Sequence, residues 1–254
     1  MRDGFRLAMN RDEQRHRVQG RPPECFQVRQ RRILHPTEPG GGTWISLNDH
    51  GVVFALLNAY SIEPQPTPAT GFRSRGAVIP ALHDAVLCHK VAARLRALDL
   101  RSTRPFRLFG FFDRGRQIRE WTWNGSTVSP TRHRSVPAAW HSSGYQEPEA
   151  QRLRGETVRS RMEDPDAGTL EWFRRLHGSH APVCGPFSIC MHREDAVTVS
   201  YSEVEVTAAA MTLRHHQGAL CGPTAWSHAL SLPVVNAGRS PGPHLALGRA
   251  GNWT

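Results

Sequence analysis

Lysine is almost absent from this sequence: Lys90 is the only one, and arginine supplies the other basic side chains. The formal net charge is +10, a surplus that many nucleic-acid-binding proteins share. However, the arginines are scattered, and the densest stretch, residues 11–32, contains Phe26 as its only aromatic residue. The pattern favours a solvated surface over an anion-binding patch, which stays the alternative, and it predicts no nucleic-acid partner.

Long hydrophobic runs are missing as well. No segment approaches the roughly 20 apolar residues of a membrane-spanning helix, and the first residues carry no signal-peptide pattern. The chain has 254 residues, of which 39% are hydrophobic, enough for one sizeable globular domain. These features predict a cytoplasmic protein without an integral membrane segment.

Paired cysteine motifs are also absent. The five cysteines are odd in number and contain no CxxC pair, which favours reduced thiols over a disulfide framework or a zinc site. The adjacent His215 and His216 lack spaced carboxylate or cysteine partners, so we expect no metal. Cys190 and His192 would share one face of a strand. A buried structural pair is favoured there, while a nucleophile pair or a haem ligand stays open.

Two common functional motifs do not occur. The sequence has no G-x-S-x-G nucleophile elbow. Gly40-Gly41-Gly42 is followed by Thr43 and a strand-like segment, not by Lys-Ser or Lys-Thr and a helix. We therefore interpret the three glycines as a flexible entry to a hairpin rather than as a phosphate-binding loop.

The periodicity of the remaining sequence predicts groups of strands that alternate with helices. Strands are predicted at residues 4–10, 43–47, 52–57, 106–112, 117–123, 187–192, 197–206 and 211–214. Helices are predicted at residues 74–98, at residues 147–162 and after Pro165, with a long loop at residues 13–39. Because hairpins dominate over βαβ units, this order predicts an α+β layered domain with largely antiparallel sheets.

The last part of the chain differs in composition. Residues 222–254 are rich in Pro, Gly, Ser and His, contain no acidic residue and lack periodicity. We therefore predict one domain at residues 1–221 and a disordered or loosely attached tail at residues 222–254.

Several separated motifs follow one another in a distinctive order. The polar tetrapeptide Asn10-Arg11-Asp12-Glu13 comes after a short apolar segment. It is followed by Gly41-Gly42-Thr43-Trp44, Asn48-Asp49-His50-Gly51, Ser74-Arg75-Gly76 and Ser188-Ile189-Cys190-Met191-His192-Arg193. Together these motifs resemble the NRDE family, also called the transport and Golgi organisation 2 family, over about residues 4–221.

The resemblance implies a fold and a set of catalytic positions. The family is similar to the N-terminal-nucleophile hydrolases, in the bile-salt hydrolase and penicillin V acylase branch, which implies a four-layer αββα sandwich. In that branch an N-terminal cysteine attacks an amide carbonyl group, and its own α-amine is the base. Asp12 matches the aspartate that orients this terminus, and Asn58 matches an asparagine that donates to the oxyanion. Arg193 matches a late arginine, and Ser142-Ser143 stand where some relatives have asparagine.

The resemblance also implies a small-molecule ligand. Relatives are linked to haem mobilisation and to Golgi and lipid homeostasis, which implies a haem-type or lipid-type ligand and no other cofactor. The candidate ligand contacts are then further residues of the matching motifs: Asn10, Arg11, Glu13, Trp44, Arg75 and His192.

One departure from the family pattern bears on activity. Family members usually begin with Met-Cys and a first strand, whereas this sequence begins with Met1-Arg2-Asp3-Gly4, so the first strand is expected to be missing. A start codon placed too late is favoured over a non-catalytic relative. We predict a ligand-binding or trafficking protein on a hydrolase-like scaffold. The alternatives are an N-terminal-cysteine amide hydrolase of a small non-peptide substrate and a globular protein without a ligand of its own.

Overall fold

The computed structural model describes residues 4–63, 66, 71–134, 137–223 and 226–233. In chain order, its strands are β1 (Phe5–Gln14), β2 (Arg21–Val28), β3 (Arg31–Thr37), β4 (Ile45–Asn48), β5 (Val53–Asn58), β6 (Phe106–Phe112), β7 (Gln117–Trp123), β8 (Val128–His133), β9 (Ala196–Val206), β10 (Ala210–Gln217) and β11 (Leu230–Pro233). The helices are α1 (Cys88–Ala97), α2 (Glu147–Arg161) and α3 (Leu170–His177), with short 3-10 turns at Arg75–Ala77, Pro80–Leu82 and Asp113–Gly115.

The strands form two antiparallel sheets. The larger sheet has seven strands in the order β2 to β8, so each strand pairs with its neighbour in sequence. The smaller sheet has four strands in the order β1-β9-β10-β11. Because β1 comes from the start of the chain and β9 from its last quarter, the smaller sheet closes the domain through contacts of high sequence separation.

The two sheets stack face to face around one apolar core. Val204 of β9 and Leu213 of β10 are fully buried against Ile45, Val53 and Phe109 of the larger sheet. Alternation along each strand places these residues on the inner face of their sheet and their chain neighbours on the outer face. This inter-sheet core is the centre of the domain.

Helices cover the outer faces of both sheets. On the larger sheet, Phe54 and Trp121 pack against Val91 and Leu95 of α1. Beside the smaller sheet, α2 and α3 form a separate small core around Trp172, and α3 lies against β1. The order of layers is helix, sheet, sheet, helix, which confirms the predicted α+β αββα sandwich.

Several elements differ from the sequence prediction. β1 continues to Gln14, so that Asn10 to Glu13 lie inside a strand and not at its exit. The predicted loop at residues 13–39 contains β2 and β3, and the predicted helix at residues 74–98 is helical only as α1, after two 3-10 turns. The predicted strand at residues 187–192 is irregular apart from one bridge between His192 and Val197.

The folded region extends past the predicted boundary at residue 221. β11 lies within the predicted tail, yet it pairs with β10 from Met211↔Leu232 to Leu213↔Leu230. Residues 234–254 of the predicted tail lie outside the described residues. Across the described ranges, no helix is both long and apolar enough to cross a membrane.

Candidate functional site

Asp12 lies near the end of β1, where the pairing with β9 shifts. Arg11 is opposite Ser200 and Asp12 is opposite Thr198, so Val199 of β9 has no opposite residue in β1. An irregularity of this kind turns the side chains next to it. The hydroxyl group of Thr198 donates a 2.6 Å hydrogen bond to Asp12 Oδ1, which fixes the position of the carboxyl group.

Arg154 of α2 is the second neighbour of Asp12. Its Nη2 lies 3.7 Å from Asp12 Oδ2, and its Nη1 and Nη2 donate to the carbonyl oxygens of Ser142 and Pro186 at 3.1 and 3.2 Å. Although 27% of the Asp12 side chain is exposed, protein atoms crowd the carboxyl group. This desolvation raises the pKa of Asp12 against the opposing effects of Arg154 and Thr198. We call Asp12, Arg154 and Thr198 the Asp12 cluster.

Arg11 and Glu13 form a different group, because adjacent residues of a strand face opposite sides of the sheet. Arg11 Nη2 donates to Glu13 Oε2 at 2.9 Å and to Glu38 Oε1 at 2.8 Å. The guanidinium group of Arg11 lies 4.6 Å from the ring centroid of Trp44. The structure therefore brings together three of the predicted ligand contacts, Arg11, Glu13 and Trp44, in a largely buried ion-pair group.

Asn10 joins β1 to the helical layer. Its side-chain amide donates to the carbonyl oxygens of His177 and Ile189 at 3.0 and 2.9 Å. His177 is the last residue of α3, and Ile189 lies in the segment before β9. Asn10 thus holds that segment against β1, and its role as a ligand contact stays a prediction.

Asn58 and Arg75 meet at Tyr60. Asn58 is the last residue of β5, and its Nδ2 donates to the Tyr60 hydroxyl group at 2.7 Å. The Arg75 guanidinium group lies 5.5 Å from the Tyr60 ring centroid and donates to the carbonyl oxygen of Pro105 at 3.2 Å. Since Tyr60 is 47% exposed, this group is open to solvent.

Glu147 connects the Tyr60 group to the Asp12 cluster. Its carboxylate accepts hydrogen bonds from the backbone N–H groups of Ser61 and Ser143. The neighbouring Ser142 accepts from Arg154. Hydrogen bonds and chain neighbours, among them Ser142-Ser143, therefore link Asn58 to Arg154, whose Nη2 lies 3.7 Å from Asp12 Oδ2.

Arg193 lies on the surface beside this network. Its Nε donates to Asp195 Oδ1 at 2.8 Å, and its guanidinium group lies 5.4 Å from the Tyr145 ring centroid. Together with Pro186 and Glu194, these residues line a surface depression of about 430 Å³. Arg193 also exerts an electrostatic effect that lowers the pKa of the Asp12 carboxyl group.

His192 belongs to a second cluster, in which four side chains each bring one sulfur or nitrogen atom close to the others. Its Nε2 lies 3.2 Å from His180 Nε2, 3.6 Å from Cys190 Sγ and 3.4 Å from Cys221 Sγ. Burial raises the pKa of the Cys190 thiol, which disfavours a thiolate nucleophile at this position. We call His180, Cys190, His192 and Cys221 the Cys–His cluster.

Sequence reasoning names none of Arg154, Thr198 and Tyr60 as a site residue, although Thr198 follows the motif that ends at Arg193. Arg154 is 5% exposed, yet it belongs to a helix with few apolar residues, so no hydrophobic face marks the inward side. Thr198 is 2% exposed and is one of several alternating hydroxyl residues in β9. The fold, and not a motif, selects these side chains for the site.

Part of the chain matches a known protein family, and the whole chain is similar to some solved structures. Residues 4–128 match the family described as Transport and Golgi organisation 2. Among proteins with curated descriptions, none matches the chain. One similar solved structure is penicillin V acylase from Agrobacterium tumefaciens, with a TM-score of 0.47 and 10% identity over 87% of this chain and 81% of that chain.

A second similar structure is a mutant conjugated bile acid hydrolase from Clostridium perfringens. The TM-score is 0.50 and the identity 8%, over 90% of this chain and 88% of that chain. This likeness shows the N-terminal-nucleophile-hydrolase fold, and at such an identity it shows the fold alone. Through the match of residues 4–128, this part of the chain belongs to the Transport and Golgi organisation 2 family, also called the NRDE family.

Proposed function

We propose that this protein binds a small carboxylate-bearing molecule of the haem or acyl type, with the carboxylate group held beside the Asp12 cluster. The observation that carries the proposal is the charge around Asp12. A partly exposed carboxyl group with a raised pKa stands next to Arg154 and within the electrostatic reach of Arg193. Perturbed titratable groups in such surroundings concentrate at functional sites.

The surroundings of the cluster fit a ligand that is both anionic and apolar. Arg154 and Arg193 both act electrostatically on the Asp12 carboxyl group, and in our proposal they attract the anionic group of the ligand, for which Arg193 would exchange its ion pair with Asp195. Tyr60 and Tyr145, which are 47% and 43% exposed, offer aromatic surfaces to a hydrophobic ligand. The haem or acyl character itself comes from the family resemblance.

Ligand titration tests this proposal. The purified full chain is titrated with haemin, followed by the Soret band, and with a long-chain fatty acid, followed by tryptophan fluorescence. We expect saturable binding of one of them. In Arg193→Gln the affinity should fall roughly tenfold, because loss of one charge-assisted contact costs about 1.4 kcal/mol of binding free energy. Arg101→Gln is the control, because Arg101 is exposed and pairs locally with Asp99. Absence of binding at micromolar protein, or equal affinity in both variants, would overturn the proposal.

Amide hydrolysis is the second candidate function. It is favoured by the position of Asp12 on β1, whose described pairing is with β9 on one side and leaves the other side at the edge of the sheet. A further strand that begins with cysteine would fit at that edge. The codons upstream of Met1 test this function: in-frame Met-Cys codons before alternating β-branched residues support it, and a stop codon directly before Met1 excludes it.

A further inference from the structure

The Cys–His cluster gathers ligand atoms from distant parts of the chain. His180, Cys190 and His192 come from the segment between α3 and β9, and Cys221 follows β10. Each residue contributes one ligand atom, and the four atoms all lie within 4.8 Å of one another. Cys190 is buried, while the two histidines are partly buried and Cys221 is exposed.

Four of the six separations between these atoms lie within about 0.4 Å of those in a tetrahedral zinc site. With Zn–S bonds of about 2.3 Å and Zn–N bonds of about 2.0 Å, a tetrahedron places two nitrogens ~3.3 Å apart, nitrogen and sulfur ~3.5 Å apart, and two sulfurs ~3.8 Å apart. The two Nε2 atoms are 3.2 Å apart, His192 Nε2 is 3.6 and 3.4 Å from the two sulfurs, and Cys190 Sγ is 3.4 Å from Cys221 Sγ. Together with the 4.8 Å limit on all six separations, these distances place the four atoms close enough to bind one ion after small side-chain adjustments.

Hydrogen bonding alone does not explain this arrangement. His192 Nε2 has three neighbours at hydrogen-bond distance, but an imidazole nitrogen offers either one N–H or one lone pair. A disulfide does not explain it either, because the 3.4 Å between the sulfurs of Cys190 and Cys221 is far longer than an S–S bond of about 2.05 Å. A cation at the centre gives all four atoms a partner.

We propose that His180, Cys190, His192 and Cys221 bind a Zn²⁺ ion. Two sulfur and two imidazole ligands in a tetrahedral arrangement are typical of zinc. The two thiolates balance the charge of the ion, and the two neutral imidazoles bind through Nε2. Because four protein ligands fill the tetrahedron, the site is structural and leaves no open position for substrate.

The position of this site gives it a role in the rest of the molecule. Met191, between two of the ligands, donates its backbone N–H to Thr198 Oγ1 at 2.9 Å, and Thr198 in turn donates to Asp12. The ion would tie the segment before β9 to the segment after β10 and so fix one wall of the Asp12 cluster. This role does not depend on which ligand the Asp12 cluster binds.

Metal analysis of the full chain, produced without a histidine tag and kept reduced, tests the proposal. We expect one equivalent of zinc per chain. After replacement by Co²⁺ we expect the visible bands of tetrahedral cobalt together with a sulfur-to-cobalt charge-transfer band. Cys221→Ser should weaken Co²⁺ binding by more than ~100-fold, because loss of an outer-shell partner alone costs about 10–100-fold. The matched control is Cys184→Ser. Cys184 is exposed like Cys221, and it lies in the segment between α3 and β9 that carries the other three ligands.

Three results would overturn the proposal. The first is a reduced chain that contains no zinc and gives no tetrahedral cobalt spectrum. The second is Co²⁺ affinity in Cys221→Ser equal to that of the unmodified chain and of Cys184→Ser. The third is a reduced chain that forms a Cys190–Cys221 disulfide in air equally fast with and without added Zn²⁺, with the loss of two hydrogens followed by mass spectrometry. Because Cys221 is exposed, its variant is expected to fold, and circular dichroism checks this.

Discussion

The hydroxyl group of Thr198 lies between two parts of the site. It donates to Asp12 Oδ1 at 2.6 Å, and it accepts the backbone N–H of Met191 at 2.9 Å. Thr198 is therefore the direct connection between the carboxyl group at the end of β1 and the segment that carries Cys190 and His192. Any change that removes this oxygen acts on both clusters.

Thr198→Val is predicted to lower the free energy of unfolding by about 1–3 kcal/mol, because it keeps the shape of a buried side chain but leaves the Met191 N–H without its acceptor. Denaturant unfolding measures the change. Thr198→Ser retains the hydroxyl group and should recover most of the loss. Thr212→Val, at a strand position where the hydroxyl group meets the exposed Ser231 hydroxyl, should change stability by less than about 0.5 kcal/mol. Equal stability of the two valine variants would contradict the role of Thr198.

Arg11→Met is predicted to destabilise the fold by about 2–3 kcal/mol. It leaves two carboxylates, Glu13 and Glu38, without their shared partner, and these side chains are only 16% and 14% exposed. Removal of one partner from a fully buried pair costs about 3–5 kcal/mol, and partial exposure reduces this. Arg17→Met is the control because Arg17 pairs with the same Glu13 but is 50% exposed; its expected cost is below about 0.5 kcal/mol. Similar midpoints of urea unfolding in both variants would contradict this account.

Asn48→Ala is predicted to cost about 2–3 kcal/mol of unfolding free energy, since several buried groups lose a partner at once. The Asn48 amide nitrogen donates to the carbonyl oxygens of His83 and Ala85 at 2.9 and 3.1 Å, and its oxygen accepts two N–H groups of its own turn. Asn124→Ala, in an exposed turn with similar local bonds, should cost less than about 1 kcal/mol. Thermal unfolding measures the Tm of both variants, and the decrease should be larger in Asn48→Ala. An equal decrease in Asn124→Ala would refute the prediction.

Acid is predicted to destabilise the fold through His83. Burial lowers the pKa of this histidine from about 6.5 to about 3, and its ring lies 4.6 Å from that of His35, whose pKa is also lowered by burial. A folded-state pKa below the unfolded value means that the neutral ring stabilises the fold above pH ~6.5. This stability is lost as the pH falls from about 6.5 toward about 3.

The contribution of His83 is measured as a difference between variants. Unfolding free energies at about pH 7 and pH 4.5 should drop by about 2–3 kcal/mol more in the unmodified chain than in His83→Phe, since each pKa unit is worth about 1.36 kcal/mol. His89→Gln, at an exposed position of α1, should retain the full pH dependence. A His83→Phe variant with unchanged pH dependence would show that this histidine is not responsible.

Much of the larger sheet could be predicted from the sequence. β5, β6 and β7 are apolar or alternating runs bounded by turn residues such as Asn48 to Gly51, and this local pattern is sufficient. β2 could not be predicted, because Pro22 and Pro23 suggest a loop. It is an edge strand of the sheet, and Pro22 and Pro23 lie where its pairing with β3 is irregular. Proline is tolerated at both kinds of position.

The segment at residues 74–98 shows a second limit. Its apolar residues recur at helical spacing, but Val78 and Ile79 are buried between two short 3-10 turns, and Leu82 is buried at the end of the second. A hydrophobic pattern indicates which side chains are buried, but it does not determine the backbone conformation of the segment. The proline at Pro80 was compatible with both structures, so the pattern alone did not decide between them.

The candidate site divides in the same way. The sequence marks Asp12 and Asn58 because each lies in or beside a recognisable motif, and their roles stay predictions. The Cys–His cluster could not, because its ligands are separated by intervals that match no paired metal motif, with His180 far from Cys221 in sequence. Only the pairing of β9 and β10 brings the two ends of that set together.

X-ray absorption at the zinc edge, on the reduced full chain, tests the central structural claim most directly. The account predicts a first shell of two sulfurs at about 2.3 Å and two nitrogens at about 2.0 Å, with the outer-shell scattering of imidazole rings. The same spectrum of Cys184→Ser should be unchanged, and that of Cys221→Ser should lose one sulfur. A chain without zinc, or with zinc in a shell of oxygen and nitrogen alone, would contradict the account.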